Sequence, residues 1–292
     1  MRWAAIQIKA PPDSIEAVIG ILLDAGISGI EQIDGKSVWV VGYHPVGDTL
    51  EPLLDYIQMR LSSLPALDIP AVGEITLRIV DEADWESAWK QYFKPLEIGR
   101  RLVILPTWEH YHNLNHRLVV RLDPGMAFGT GGHPTTRLCL MALEKWVKEG
   151  HLVADIGTGS GILALAAARL GAGQIYATDI DALPREVAAK NVILNDLARR
   201  VTIFNPEDLQ QRLADDYPRC PDLVIANIVA DAIIELAPIV YQMLHSDGIF
   251  IASGIVEERE LDVIRRLSHV GFELVEKMVD EIWRLLVCRK VL

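Results

Sequence analysis

Three polar side chains and three glycines in the second half of the 292-residue chain are of the kind a ligand site in an α/β protein needs. Asp155 closes the apolar run HLVAD, and three glycines at alternate positions follow, Gly157, Gly159 and Gly161. Asp179 ends the next apolar run, QIYATD, and Asn227 ends a third, DLVIAN. In an open parallel sheet, ligands bind beyond the carboxyl ends of the strands. A glycine turn there lets a helix N-terminus approach them closely.

The two acids narrow the ligand. A carboxylate just before the glycines repels a pyrophosphate and suits a cationic ammonium group. A carboxylate at the end of the next strand accepts both hydroxyls of a ribose. The ligand described has adenosine, an ammonium group and no pyrophosphate, and S-adenosylmethionine meets that description. The competing reading is that Asp155 and Asp179 only cap the helices that follow. The dinucleotide fingerprint G-x-G-x-x-G fits less well. Counted from Gly157, its third glycine falls on Ile162; counted from Gly159, it falls on Ala164, which leaves the Ala-ending variant open.

The elements that position these residues follow from hydrophobic periodicity. From about residue 150 the chain alternates apolar strands (HLVADIG, QIYATDID, RVTIFNP, DLVIANI, GIFIASGI) with helical segments. Strands without polar alternation, separated by helices, predict a parallel sheet covered on both faces. ELVEKMVD and EIWRLLVCRK close the chain as consecutive strands, so the sheet is expected to have seven strands, one of them antiparallel. RLVILPTW and HRLVVRLD are two further strands ahead of it.

The N-terminal segment has a different plan. WAAIQIKA predicts a strand, and SIEAVIGILLDAG a helix with Ser14 as N-cap and Gly26 as its stop. GIEQID and SVWVVGY predict a hairpin around Asp34-Gly35. TLEPLLDYIQMRLSSL predicts a second helix, and EITLRIV a last strand. This succession is that of a ferredoxin-like α+β sandwich. Trp85, Trp89, Tyr92 and Phe93 recur at helical spacing and predict a connecting helix with an aromatic packing face. The expected division is 1–65 for the small domain, 66–100 for a linker with a helix, and 101–292 for the ligand-binding α/β domain.

Composition excludes some classes of function. The net charge of −12 and a pI of about 5.1 make the chain a poor partner for nucleic acid, so no direct nucleic-acid binding is expected. A basic protein suits it better, although acidity is also the ordinary solubility signature of a cytoplasmic protein. Cys139, Cys220 and Cys288 are far apart and lack C-x-x-C spacing, which predicts reduced thiols, no metal site and a cytoplasmic location. The opening residues lack the apolar core of a signal peptide, and no apolar run reaches a membrane span.

The segments DPGMAFGTGGHPTT, VADIGTGSGILALAA, YATDID and DLVIANIVADAIIELAP resemble the bacterial ribosomal protein L-11 methyltransferases, which are class I S-adenosylmethionine enzymes. DWESAWKQYFKPLEIGRRLVILPTW resembles that family's linker, and the small N-terminal domain its substrate-recognition domain. The glycine turn is generic to the superfamily, whereas AFGTG-x-HPTT is more specific. The resemblance implies that Thr136, Gly157, Asp179 and Asn227 touch S-adenosylmethionine, with Phe128, Gly129, Gly159 and Asp155 behind them. It also implies that the glycine-rich 125–132 loop, with Phe128, folds over the cofactor as a lid. The plainer reading of that segment is a surface Ω-loop. Glu207-Asp208 would face the adenine amine or cap a helix. Gly132 stands where the family usually has Thr, which removes a hydroxyl from the loop.

The implied activity is methyl transfer to lysine side-chain and N-terminal amines of ribosomal protein L-11. Enzymes that methylate planar amides or base amines have N-P-P-Y where this chain has Asn227-Ile228-Val229-Ala230, so an aliphatic amine fits better. No catalytic base is assigned, because His133 fits a turn before Pro134 as well as a base. The open alternatives are methylation of another protein, a small-molecule amine, glutamine or a nucleobase; a nicotinamide dehydrogenase; and a binding module without activity.

Overall fold

The computed structural model describes residues 2–27, 29–33, 38–47, 49–67, 69–81, 93–112, 115–123, 131–215 and 220–291. The chain forms two compact units, Met1–Phe93 and Lys94–Leu292.

The first unit is the expected ferredoxin-like sandwich. Strands β1 (Arg2–Ala10), β2 (Gly29–Ile33), β3 (Val38–Pro45) and β4 (Ile75–Asp81) make an antiparallel sheet in the order β2-β3-β1-β4. Helices α1 (Ile15–Asp24) and α2 (Leu50–Ser62) pack on one face of it. Ile6 and Ile8 of β1, Val18 and Leu22 of α1, and Ile57 and Leu61 of α2 share that core. Each such side chain contributes about 1.5–3 kcal/mol on burial.

Ser14, directly before α1, closes a 3-10 turn (Pro12–Ser14), is fully buried, and donates its hydroxyl to Pro70 O at 2.6 Å. The proline-bearing 64–73 stretch is therefore tied into this unit. The boundary also falls later than residue 65, because β4 pairs with β1 along its whole length. The Asp34-Gly35 turn and the expected aromatic helix through Trp85, Trp89 and Tyr92 lie outside the described residues.

The second unit opens with a three-stranded sheet, β5 (Leu96–Ile98), β6 (Leu102–Pro106) and β7 (Leu118–Leu122), with β6 central and buried throughout. Helix α3 (Pro134–Trp146) follows. The main sheet is built from β8 (Leu152–Ile156), β9 (Gln174–Thr178), β10 (Val201–Phe204), β11 (Leu223–Asn227), β12 (Ile249–Val256), β13 (Phe272–Asp280) and β14 (Trp283–Lys290). Its order is β10-β9-β8-β11-β12-β14-β13, and β14 runs antiparallel to both neighbours.

The intervening helices are α4 (Ile162–Arg169), α5 (Ala182–Leu194), α6 (Pro206–Asp215), α7 (Ala230–Met243) and α8 (Glu260–Val270). Residues of α3 and α4 share one core with Val153, Ile225 and Val287; residues of α7 and α8 share the other with Ala154, Val224 and Leu286. Successive side chains of one strand point to opposite faces, so both faces are covered. The strand order reverses between β8 and β11, the topological switch point where such sheets bind ligands.

Candidate active site

The glycine turn after β8 is fixed from the neighbouring strand. The N–H groups of Gly157 and Thr158 both donate to Thr178 O at 2.9 Å, and the N–H of Gly159 donates to Asp179 Oδ2 at 3.0 Å. Gly157 has φ +75, and a Cβ there would lie 2.5 Å from Ile228 Cγ2. A side chain is excluded both by the left-handed backbone and by the residue after Asn227. Ile162 then starts α4 with its N-terminus at the switch point.

Thr136, Gly157 and Asn227 line one cavity at the carboxyl ends of β8 and β11, with Gly159, Ile162 and Leu163. Three of the four principal expected site residues are thus brought together from α3, the glycine turn and β11. The fourth, Asp179, joins them through its bond to Gly159; its other oxygen accepts the Asp181 N–H at 3.2 Å. Thr136 is fully buried, and its Oγ1 has no hydrogen-bond partner among the described residues.

Asp155 uses one carboxylate oxygen inside the turn. It is fully buried, and Oδ2 accepts the Thr158 hydroxyl at 2.7 Å and the Ala164 N–H at 3.1 Å. Its work is to bind the start of α4 from inside the turn, which is the capping alternative. Burial pushes its pKa up to about 7, opposed by those two bonds and aided by nearby Asp179. Its other oxygen, Oδ1, is buried and has no hydrogen-bond partner among the described residues.

Two other candidates are caps. His133 is the N-cap of α3: Nδ1 accepts the Thr135 N–H at 3.3 Å, and the ring meets Trp283 edge-on at 4.9 Å. Burial first, and then Arg137, hold its pKa below the ordinary histidine value, which keeps Nδ1 able to accept. Asp208 and Asn205 form a reciprocal pair at the start of α6, at 2.8 Å in each direction, and Glu207 points to solvent. Phe128 and Gly129 lie outside the described residues, as does most of the expected lid.

Sequence reasoning overlooked Asn191 and Asn195. Both are buried, Asn191 on α5 and Asn195 at its C-cap, and they grip the backbone ahead of the 124–130 segment. Asn191 Oδ1 accepts the Asp123 N–H, and its Nδ2 donates to Asp123 O and Ser160 O, all at 2.9 Å. Asn195 holds Arg121 N–H and O at 2.9 and 2.7 Å. Their four-residue spacing, which puts both on one helix face, was the available signal. Ile180, 83 % exposed directly after Asp179, is a second overlooked feature: an apolar side chain presented at a strand end beside the site.

A larger open cavity of about 440 Å³ lies between α8 and the β13–β14 hairpin. Its walls include Ile264, Leu267 and Leu274, and burial pushes the Cys288 thiol there up to about 12. A thiol held protonated is a poor nucleophile. Among the described residues no group of histidines, cysteines and carboxylates has the arrangement of a metal site, and no helix is long and apolar enough to cross a membrane.

The seven-stranded order, the switch-point cavity and the glycine turn define a class I methyltransferase domain. The family model for ribosomal protein L11 methyltransferase matches residues 2–291, and the chain belongs to that family. It is 37 % identical to the ribosomal protein L11 methyltransferase of Bacillus pumilus, over 99 % of this chain and 100 % of that one. It is 39 % identical to that of Pelotomaculum thermopropionicum, over 99 % of each. A crystal structure of ribosomal protein L11 methylase from Lactobacillus delbrueckii superposes with a TM-score of 0.60 at 34 % identity, covering 68 % of this chain and all of that one. The protein is a methyltransferase.

Proposed function

We propose that this protein transfers methyl groups from S-adenosylmethionine to the lysine side-chain and N-terminal amines of ribosomal protein L11, in the cytoplasm. The observation that carries the cofactor assignment is Thr136 Oγ1. It is a buried polar atom without a partner among the described residues, on a wall shared with Asn227 and the glycine turn. An unsatisfied buried hydroxyl costs about 1–3 kcal/mol, which a polar ligand at that point recovers. The Gly157 turn, where a Cβ would not fit, gives a ligand close access to backbone. In this reading Thr136 and Gly157 hold the methionine end, Asp179 accepts from the ribose hydroxyls, and Asn227 lies beside the reacting group. The exposed Ile180 offers an apolar surface to the adenine face.

When bound, the cofactor supplies an electrophilic methyl group on a cationic sulfur. The protein's share is to hold a neutral amine in line with that carbon. A neutral amine that took the methyl group would become an ammonium and would lose its proton to solvent. No side chain is assigned as base, since the His133 Nδ1 is engaged in its cap. The acceptor class is supported by Asn227-Ile228-Val229-Ala230, which lacks the prolines and aromatic that grip a planar amide, and by the names of the relatives. The small N-terminal unit is assigned to recognition of the ribosomal protein.

The test is incubation with methyl-labelled S-adenosylmethionine and purified ribosomal protein L11, followed by mapping of the label. Label on lysine side chains and the N-terminal amine is the expected result. L11 left unlabelled, while another protein or a small amine takes the methyl, would overturn the substrate.

A further inference from the structure

We infer that Gly254 is a positioning residue for the methyl-transfer step, acting through the backbone of Ile228 to hold Asn227 in place; this rests on the proposed role of Asn227. Strand β12 lies beside β11, with Ser253 opposite Asn227. The regular ladder stops there: the register of β12 against β14 shifts between Ala252 and Ile255. At the shift Gly254 takes φ +86. A Cβ at Gly254 would lie 2.9 Å from the Ile228 carbonyl carbon and 3.1 Å from its nitrogen, and closer still to its oxygen.

These atoms are backbone, so they cannot swing aside as a side chain does. The Ile228 peptide is seated on the bare Cα of Gly254, and its N–H donates to Ser253 O at 3.1 Å. On the other side, Ile228 Cγ2 fills the space where Gly157 would carry a Cβ, 2.5 Å away. Ile228 is therefore held between the β12 bulge and the glycine turn, and Asn227 precedes it directly. Bulges of this kind recur beside active sites, where they re-aim a neighbouring chain. Any side chain at Gly254 must push the Ile228 peptide, and with it Asn227, away from β12. Displacement of about 1 Å at a reacting centre costs on the order of 10²-fold in rate.

The experiment uses the full chain at a temperature well below its unfolding, with Gly254→Ala, Ile228→Ala and Asn227→Ala compared to the parent. In Gly254→Ala the expected results are loss of hydrogen-exchange protection at the Ile228 amide without cofactor, kcat lower by about 10–100-fold, and a cofactor Kd by calorimetry within about threefold. The Kd is spared because the ribose and methionine ends are gripped elsewhere. Ile228→Ala leaves the backbone unhindered but removes the contact with the glycine turn, and it should lower kcat in the same direction by a smaller factor. If Gly254→Ala does not fold, Ile228→Ala decides. Unchanged kcat in the folded variant, or a loss of Tm with kcat preserved, overturns the positioning role. If Asn227→Ala leaves both kcat and Kd intact, the site reading itself fails and this inference falls with it. If Asn227→Ala lowers kcat and Gly254→Ala does not, only the link through Ile228 is wrong.

Discussion

The carboxylate of Asp179 accepts the backbone N–H of Gly159 at 3.0 Å, which ties the end of β9 to the glycine turn after β8. One acid thus shapes the turn and remains at its edge for a ligand. Asp179→Ala is expected to weaken S-adenosylmethionine binding strongly, because two charge-assisted hydrogen bonds of about 1.5–3 kcal/mol each are lost. Calorimetry on the folded variant checks this, and unchanged affinity would remove Asp179 from the site.

Thr136→Val separates a ligand contact from a structural one. The substitution is nearly isosteric and deletes a hydroxyl that has no partner among the described residues. Without cofactor, the variant should unfold at the parent's temperature or slightly above. With cofactor, its affinity should fall by about tenfold, one ordinary hydrogen bond. Equal affinity would mean that the buried hydroxyl serves something else.

Asp155 should give stability a pH dependence. Its folded pKa is raised to about 7 from an ordinary 3.8, so the folded chain holds a proton that the unfolded chain releases. The group's contribution is fully present below about pH 4 and is lost as pH rises through 7. Asp155→Asn cannot ionise and lacks that slope. The Tm of the variant relative to the parent is therefore expected to be more favourable at pH 8 than at pH 5. Thermal unfolding without cofactor measures it, and equal differences at both pH values would refute the neutral carboxyl.

Asn191→Ala leaves Asp123 N–H, Asp123 O and Ser160 O without their side-chain partner. Ser160 O is buried and costs about 1–3 kcal/mol when left unpaired, while the exposed Asp123 groups can turn to water, so the loss should be about 1–3 kcal/mol. Chemical denaturation checks it. A loss below about 1 kcal/mol would show that this clamp is dispensable.

Residues Lys94–Leu292, expressed without the first unit, should bind S-adenosylmethionine and fail to methylate the ribosomal protein. That unit has its own core, and the cavity residues all lie in the second. Methylation of L11 at the parent's rate by the shortened chain would exclude the recognition role.

Sequence by itself determined which elements form and which ends matter. Five apolar strands separated by helices predict a covered parallel sheet, and the closing pair of strands predicts its antiparallel member; both are seen. Strand ends are legible because the apolar run breaks there, which singled out Gly157, Asp179 and Asn227. Burial and partners were decided only by the tertiary structure. Asp155 and Asp179 look alike in sequence, each closing a strand, yet one is sealed beneath α4 and the other stays half-exposed at the rim. His133 and Asp208 also carry several readings in sequence, and hydrogen bonds at a helix start favour the capping one in each case. The Ile228 seat on Gly254 joins residues 26 positions apart, and the Asn191 clamp on Asp123 joins residues 68 apart. Periodicity reports which face of an element is buried. It does not report which distant backbone lies against that face, and those contacts shape the cavity.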